Sequence, residues 1–196
     1  MKEIDIVKIH KKLSRKLDEE RYMHTLGVEF TACSLAMKYG IDKDKARLAG
    51  LLHDCAKAYD SSEYLDICAK YNISVNEAEK KNPGLLHAKL GGFFTMKKYH
   101  VTDGEIVDAI ICHTTGKPDM NLLEKIIYIS DYIEPGRDIL KLPRIDEIRM
   151  TAFTDIDSAL FMILEDTMKH LKNSGHVIDP MTEKTYLYYK EKEINR

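Results

Sequence analysis

Histidine and aspartate recur in this chain at positions where an apolar side chain would ordinarily sit. His53 and Asp54 are adjacent and close the stripe Ala46, Ala49, Gly50, whose spacing of three and four is helical. His24 begins a comparable series with Val28, Ala32 and Leu35, and Asp131 follows Leu123 and Ile127 at steps of four. Imidazoles and carboxylates on the inner face of a helix must be paired or bound, because an unsatisfied polar group in a core is costly and an unpaired charge more so. One cation held by His24, His53, Asp54 and Asp131 would satisfy all four. Mixed nitrogen and oxygen donors suit iron, manganese or zinc better than calcium. An octahedral ion with four protein ligands keeps open positions for a water and a phosphoryl oxygen, which is what hydrolysis requires.

His87 and His113 lie on apolar stripes of their own, Leu86, Leu90, Phe93, Phe94 and Ile106, Ala109, Ile110. They could hold a second metal ion with Asp54 bridging, or contact phosphate and move protons. The second reading is preferred, since histidine titrates near neutrality. Cationic residues stand beside the same positions: Arg21 one turn before His24, Lys57 one turn after Asp54, Lys117 after His113 and Arg137 after Asp131. A phosphoanhydride needs cations around its transition state, and the guanidinium fork of Arg137 fits phosphate oxygens. Taken singly, each histidine is more often an ordinary core or surface residue. His10 and His170, in charged helical surroundings, are read as solvated, His100 as a loop residue, and His176 as part of the turn Ser174-Gly-His-Val. The set of six is harder to dismiss, because a core alone would be filled with leucine.

At 196 residues the chain suits one domain, with a core over about 21–180 and helical extensions at either end. Apolar residues make up 44% and charged residues 32%, which excludes a disordered chain. The net charge of −2 and the lack of a basic block argue against binding nucleic acid, though not against a nucleotide. Cys33, Cys55, Cys68 and Cys112 form no Cys-x-x-Cys pair and read as reduced core residues of a cytoplasmic protein. The longest runs free of charge have eight residues, far below the ~20 of a membrane span. The charged start Met1-Lys-Glu-Ile-Asp lacks a signal-peptide core.

Periodicity is helical almost throughout, and breaker spacing predicts roughly eight to ten helices in an all-α bundle. Gly40 with Asp42, Ser61-Ser62-Glu63, Asn82-Pro83-Gly84, Thr102-Asp103, Thr114 to Pro118, Glu134 to Arg137 and Asn173 to Gly175 mark the junctions. Thr185 to Tyr189 alternates like a strand but fits a final helix equally well, as core or as an exposed apolar contact. Whether the chain is a monomer or a homodimer is open at this level.

At these residues the chain resembles the HD-domain superfamily of metal-dependent phosphohydrolases, whose pattern is His, His-Asp, Asp. Within that superfamily, Arg21-Tyr-Met-His-Thr-Leu-Gly-Val-Glu29, Ala49-Gly-Leu-Leu-His-Asp-Cys-Ala-Lys57, His87-Ala-Lys-Leu-Gly-Gly92, His113-Thr-Thr-Gly-Lys-Pro118 and Ser130-Asp-Tyr-Ile-Glu-Pro-Gly-Arg137 look like the bacterial YqeK-type symmetrical diadenosine tetraphosphate hydrolases. The resemblance implies an HD helical bundle with a divalent metal, typically iron, on His24, His53, Asp54 and Asp131. It implies that His87, His113, Lys57 and Asp54 carry the reaction. It also implies a nucleotide pocket lined by Arg21, His24, Asp54, Lys57, His87, His113, Asp131, Tyr132, Ile133, Glu134, Pro135, Gly136, Arg137, Gly175 and His176. Ser174 to Asp179 would close over that pocket. The reaction would cut the tetraphosphate at its centre to give two ADP, by attack of a water that the metal acidifies. Another HD phosphohydrolase, a nucleotide phosphatase or phosphodiesterase, would share the ligands with a different pocket. A nucleotide sensor without catalysis is the remaining alternative, and the presence of His87 and His113 speaks against it.

Overall fold

The computed structural model describes residues 5–140, 142–175 and 177–195. Among them there are eleven α-helices and no strand. The helices are α1 (Ile6–Leu13), α2 (Glu19–Tyr39), α3 (Lys43–Leu52), α4 (Tyr64–Lys70), α5 (Glu77–Lys81), α6 (His87–Tyr99), α7 (Gly104–Cys112), α8 (Leu122–Ile133), α9 (Ile145–Ala152), α10 (Ile156–Ser174) and α11 (Pro180–Ile194). Single 3₁₀ turns at Cys55–Ala58, Ser61–Glu63 and Pro83–Leu86 join three of the junctions. The count exceeds the expected range chiefly through α5, a five-residue helix opened by a capping box of Asn76 with Glu79. The stretch Ser61 to Glu63 forms a 3₁₀ turn capped by Asp60 instead of opening the helix directly.

Local chemistry explains the remaining boundaries. Asp18 accepts from the Arg21 amide at 2.7 Å and opens α2, the longest helix, which Gly40 closes in the left-handed region at φ 70°. Asp42 then caps α3, and Asn121 with Glu124 forms the capping box that starts α8. The Thr185 to Tyr189 run is helical, within α11, with Thr185 and Tyr189 buried.

The long helix α2 packs against α3 and α8, α3 against α7, and α7 against both α6 and α8. Gly50 permits the first contact: a methyl there would sit 3.0 Å from the Glu29 Cα, so only glycine lets α2 and α3 approach this closely. Leu35, Leu51, Leu52, Leu90, Ile110, Ile126 and Ile127 are fully buried between these helices. Burying each such side chain contributes roughly 1.5–3 kcal/mol relative to leaving it exposed. The apolar stripes that carry His24, His53, His113 and Asp131 therefore face one another, and the polar residue at the end of each stripe is delivered to a common point.

The four cysteines are free, with Cys55, Cys68 and Cys112 buried and Cys33 half-buried. Among the described residues no helix is long and apolar enough to cross a membrane. One solvated residue was misplaced by sequence reasoning. His10 lies with Nδ1 3.2 Å from the Tyr22 hydroxyl and Nε2 3.2 Å from Glu29, a fully buried carboxylate that Arg47 also pairs at 2.6 Å. A buried charge collects whatever cationic or polar partners reach it, and charged neighbours in sequence do not reveal that.

Candidate active site

Three of the histidines are aimed by their own helix ends. His53 is the C-terminal cap of α3, and its Nδ1–H donates to the Gly50 carbonyl at 2.7 Å. His113 ends α7 in the same way, donating to Ile110 at 2.7 Å. His87 opens α6 and donates to Gly84, in the preceding 3₁₀ turn, at 2.6 Å. The last carbonyls of a helix lack intrahelical partners, which leaves those of Gly50 and Ile110 open to the imidazoles, while the Gly84 carbonyl accepts from both the backbone amide and the ring of His87. A carbonyl can only accept, which fixes the proton on Nδ1 and turns the Nε2 lone pair inward. His24, in mid-helix, reaches the same pose through Glu134, whose Oε1 accepts from its Nδ1 at 3.1 Å.

Four Nε2 lone pairs and two carboxylates thus converge. His24 Nε2 lies 3.0 Å from Asp131 Oδ1, and His53 Nε2 lies 3.8 Å from the same oxygen and 3.6 Å from Asp54 Oδ2. The other oxygen of Asp54, Oδ1, is 3.4 Å from His87 Nε2 and 3.8 Å from His113 Nε2. His87 Nε2 and His113 Nε2 face each other at 3.0 Å, with the Thr114 hydroxyl 3.2 and 3.3 Å from the two. Buried His24 Nε2, His53 Nε2 and Asp54 Oδ1 have no hydrogen-bond partner among the described residues. Acceptors pressed against acceptors in a buried site need something positive between them. The groups His24, His53, Asp131 and His53, Asp54, His113 each hold their donor atoms within 4.8 Å of one another, a spacing that fits a cation.

The titration behaviour has the same origin. Burial pushes His53 down to about 4 and His87 down to about 3, keeping both imidazoles neutral and ready to ligate. Burial also pulls on His24, but the carboxylates of Asp131 and Glu134, one beside each ring nitrogen, outweigh it and raise its pKa, so a proton on Nε2 can stand where a cation would. Burial works to raise Asp54 and Asp131 too; the imidazoles around each hold both carboxyls below the usual range.

Two guanidinium groups lie on the ligand carboxylates. Arg21 Nη1 donates to Asp54 Oδ2 at 2.9 Å, and Arg137 donates from Nη2 to Asp131 Oδ1 at 2.6 Å and from Nε to the Asp131 carbonyl at 2.8 Å. Lys57 is half-buried in the 3₁₀ turn after Asp54, and its charge adds to the lowering of His87. Lys117 points elsewhere, pairing with Glu124 at 2.6 Å.

The loop Tyr132 to Arg137 divides in function. Glu134 is buried and holds His24, with the Gly136 amide donating to its Oε2 at 2.6 Å. Gly27 gives it room, since a methyl at that position would collide with the Glu134 carboxylate. Arg149 braces the loop, donating to the carbonyls of Ile133 and Glu134 at 2.9 Å each. Ile133, Pro135, Gly136 and Arg137 line a groove of about 1120 Å³ that reaches His24 and Arg21. Tyr132 instead lines a separate cavity of about 510 Å³ with Arg144, Asp166, His170 and Asn173. Gly175 ends α10 at φ 68°, exposed, and the contacts that knit the cluster do not include it. His176 lies outside the described residues. Glu134 as a partner of His24, and Thr114, were missed. Glu134 stands three residues after Asp131 and Thr114 directly follows His113, and both spacings were available signals; Arg149 gave none.

A helical bundle that brings His24, His53-Asp54 and Asp131 to one buried point is the arrangement of a metal-dependent HD hydrolase, and residues 21–136 match the HD domain family model. The chain belongs to that family. HD domains bind divalent metals, and the cluster here fits one. It is 40% identical over 174 residues to the symmetrical bis(5'-nucleosyl)-tetraphosphatase of Bacillus subtilis, covering 89% of this chain and 91% of that one. It is 38% identical to the protein of the same name from Halalkalibacterium halodurans, covering 94% of each. A crystal structure from Clostridium acetobutylicum, described as a predicted HD superfamily hydrolase involved in NAD metabolism, superposes with a TM-score of 0.91. That protein is 39% identical, with 96% of this chain and 98% of the other covered.

Proposed function

We propose that this protein hydrolyses diadenosine tetraphosphate at its centre, releasing two ADP. The observation that carries the reading is the convergence of buried, unpartnered acceptors on His24, His53 and Asp54 beside the half-buried Asp131, flanked by His87 and His113. The names of relatives that match nearly the whole chain supply the substrate. A divalent cation on the four ligands supplies Lewis acidity, acidifying a water and polarising a phosphoryl oxygen. We take iron as the metal, with manganese or zinc as the alternatives. Asp54, whose two oxygens face different histidines, suits either one ion or two.

The chain's own residues do the rest. Water adds to one of the two central phosphorus atoms, and the bridging oxygen leaves with the other ADP. His87 and His113, whose facing Nε2 lone pairs point into the site, stand to take up a proton from the attacking water, and Lys57 beside His87 stands to protonate or stabilise the departing oxygen. Arg21 and Arg137, already forked toward the ligand carboxylates, offer donors to phosphate oxygens, and Lys57 adds a point charge beside His87. The loop from Tyr132 to Arg137 runs between the two cavities and borders the nucleotide.

The partner is a small nucleotide, and a homodimer is compatible with the exposed apolar residues of α2. Incubating metal-loaded protein with a panel of dinucleoside polyphosphates and resolving the products tests the reading. ADP as the sole product of diadenosine tetraphosphate is expected; AMP with ATP overturns the symmetric cut.

A further inference from the structure

The 1120 Å³ groove is lined by His24, Arg21 and Arg137 and also by the more exposed Met23, Phe30 and Phe153. We propose that this groove seats the second nucleoside of the dinucleotide, the one on the departing half, with its base stacked on Phe30. The proposal rests on the hydrolase reading above.

A substrate with two identical ends, cut in the middle, needs a nucleoside position on each side of the cut. The loop before Arg137 stands between two cavities. Ile133 to Arg137 face the groove, Tyr132 faces the 510 Å³ cavity, and Leu142 borders both. Phosphates alone would fill little of a groove this size, which matches or exceeds the roughly 300–1,000 Å³ of small-molecule pockets. Guanidinium groups beside the buried cluster and an exposed aromatic ring in one groove match the two parts of a nucleotide, phosphate and base. Met23 and Phe30 are 60% and 56% exposed, and their spacing of seven puts them on one face of α2 with His24 at its edge. Gly27, between them, lets the Glu134 carboxylate lie against α2, and both line the groove. The Arg47 guanidinium lies over the Phe30 ring at 6.0 Å, so the ring is held from one side while it lines the groove. A second copy of this chain is the competing occupant of the same apolar strip.

The test measures, on the metal-loaded full chain, binding of methylene-bridged diadenosine tetraphosphate, which cannot be cut at the centre, and of adenosine 5'-tetraphosphate, which lacks the second nucleoside. The wild type is expected to favour the dinucleotide by about tenfold or more, the scale of one base stacked on an aromatic ring. Phe30→Ala and Met23→Ala should shrink that preference to about twofold, whereas Met37→Ala, on the same helix but outside the groove, should keep it. Phe30 is exposed, so its replacement does not threaten the fold. An unchanged preference in Phe30→Ala overturns the proposal. So does a wild-type dimer that Phe30→Ala converts to monomer in sedimentation, which would give the strip to a second copy. If the wild type releases no ADP from diadenosine tetraphosphate, the hydrolase reading fails and takes this proposal with it; ADP release with an unchanged binding preference overturns the proposal alone.

Discussion

His24 and Glu134 stand 110 residues apart and share a hydrogen bond of 3.1 Å, Nδ1–H to Oε1. It ties the candidate metal ligand of α2 to the loop after α8. Removing the charge at Glu134 should therefore act on the metal rather than on the substrate. Glu134→Gln is expected to weaken metal affinity by about 10–100-fold, the usual effect of losing a carboxylate behind a ligating histidine. Chelator competition measures it. Wild-type affinity in that variant would show that His24 needs no carboxylate behind it.

His53 is fully buried, and it belongs to both candidate ligand groups. His53→Ala should abolish bound metal and turnover together while far-ultraviolet circular dichroism stays close to wild type. Turnover at the wild-type rate without metal would remove His53 from the site.

Acid should destabilise the metal-free protein through its neutral histidines. His87 and His53 titrate near 3 and 4 when folded, against about 6.5 in the unfolded chain. Between those values the unfolded state binds more protons, so stability rises with pH. The contribution is complete above about pH 6.5 and is lost as pH falls toward 4. His24 opposes the trend, because its raised pKa favours the protonated folded form. The melting temperature of chelator-treated protein should drop across this window, and His87→Gln should flatten the slope. A flat profile in the wild type would mean that the imidazoles are not buried as described.

Arg149 holds two carbonyls, those of Ile133 and Glu134, at the turn into Pro135. Arg149→Leu leaves the Ile133 carbonyl without the donor from Arg149 and the Glu134 carbonyl with only the Arg137 amide at 3.1 Å, and should cost about 1–3 kcal/mol, read from chemical denaturation. Arg149→Lys should recover only part of this, since an ammonium cannot fork to both oxygens. Full recovery by lysine would mean that charge alone suffices.

Legibility followed sequence distance. The helices read well because each boundary has a local cause, such as Asp18 and Gly40 at the ends of α2 or Asp42 at the start of α3. The cluster read well because a polar residue ending an apolar stripe must point where the stripe points, as His53 and Asp131 do. Pairings set by tertiary contact did not read. Glu29 drawing His10 and Arg47 together is invisible in a linear pattern, as is Lys117 turning to Glu124. Glu134 is the intermediate case: its place in the loop was legible, and its partner lay too far away in the chain to name.

The four imidazoles also differ in how they are tethered. His53, His87 and His113 each hang from a carbonyl three residues back, so their pose survives as long as one short turn of backbone does. His24 depends on a strut from a part of the chain 110 residues away, and that strut is rooted in a stretch that Arg149 pins. A brief local opening around residues 134–137 would unhook a single arm and leave the other three in place. Cation exchange in this protein would then be governed by the breathing of one loop, with no need for the helices to part.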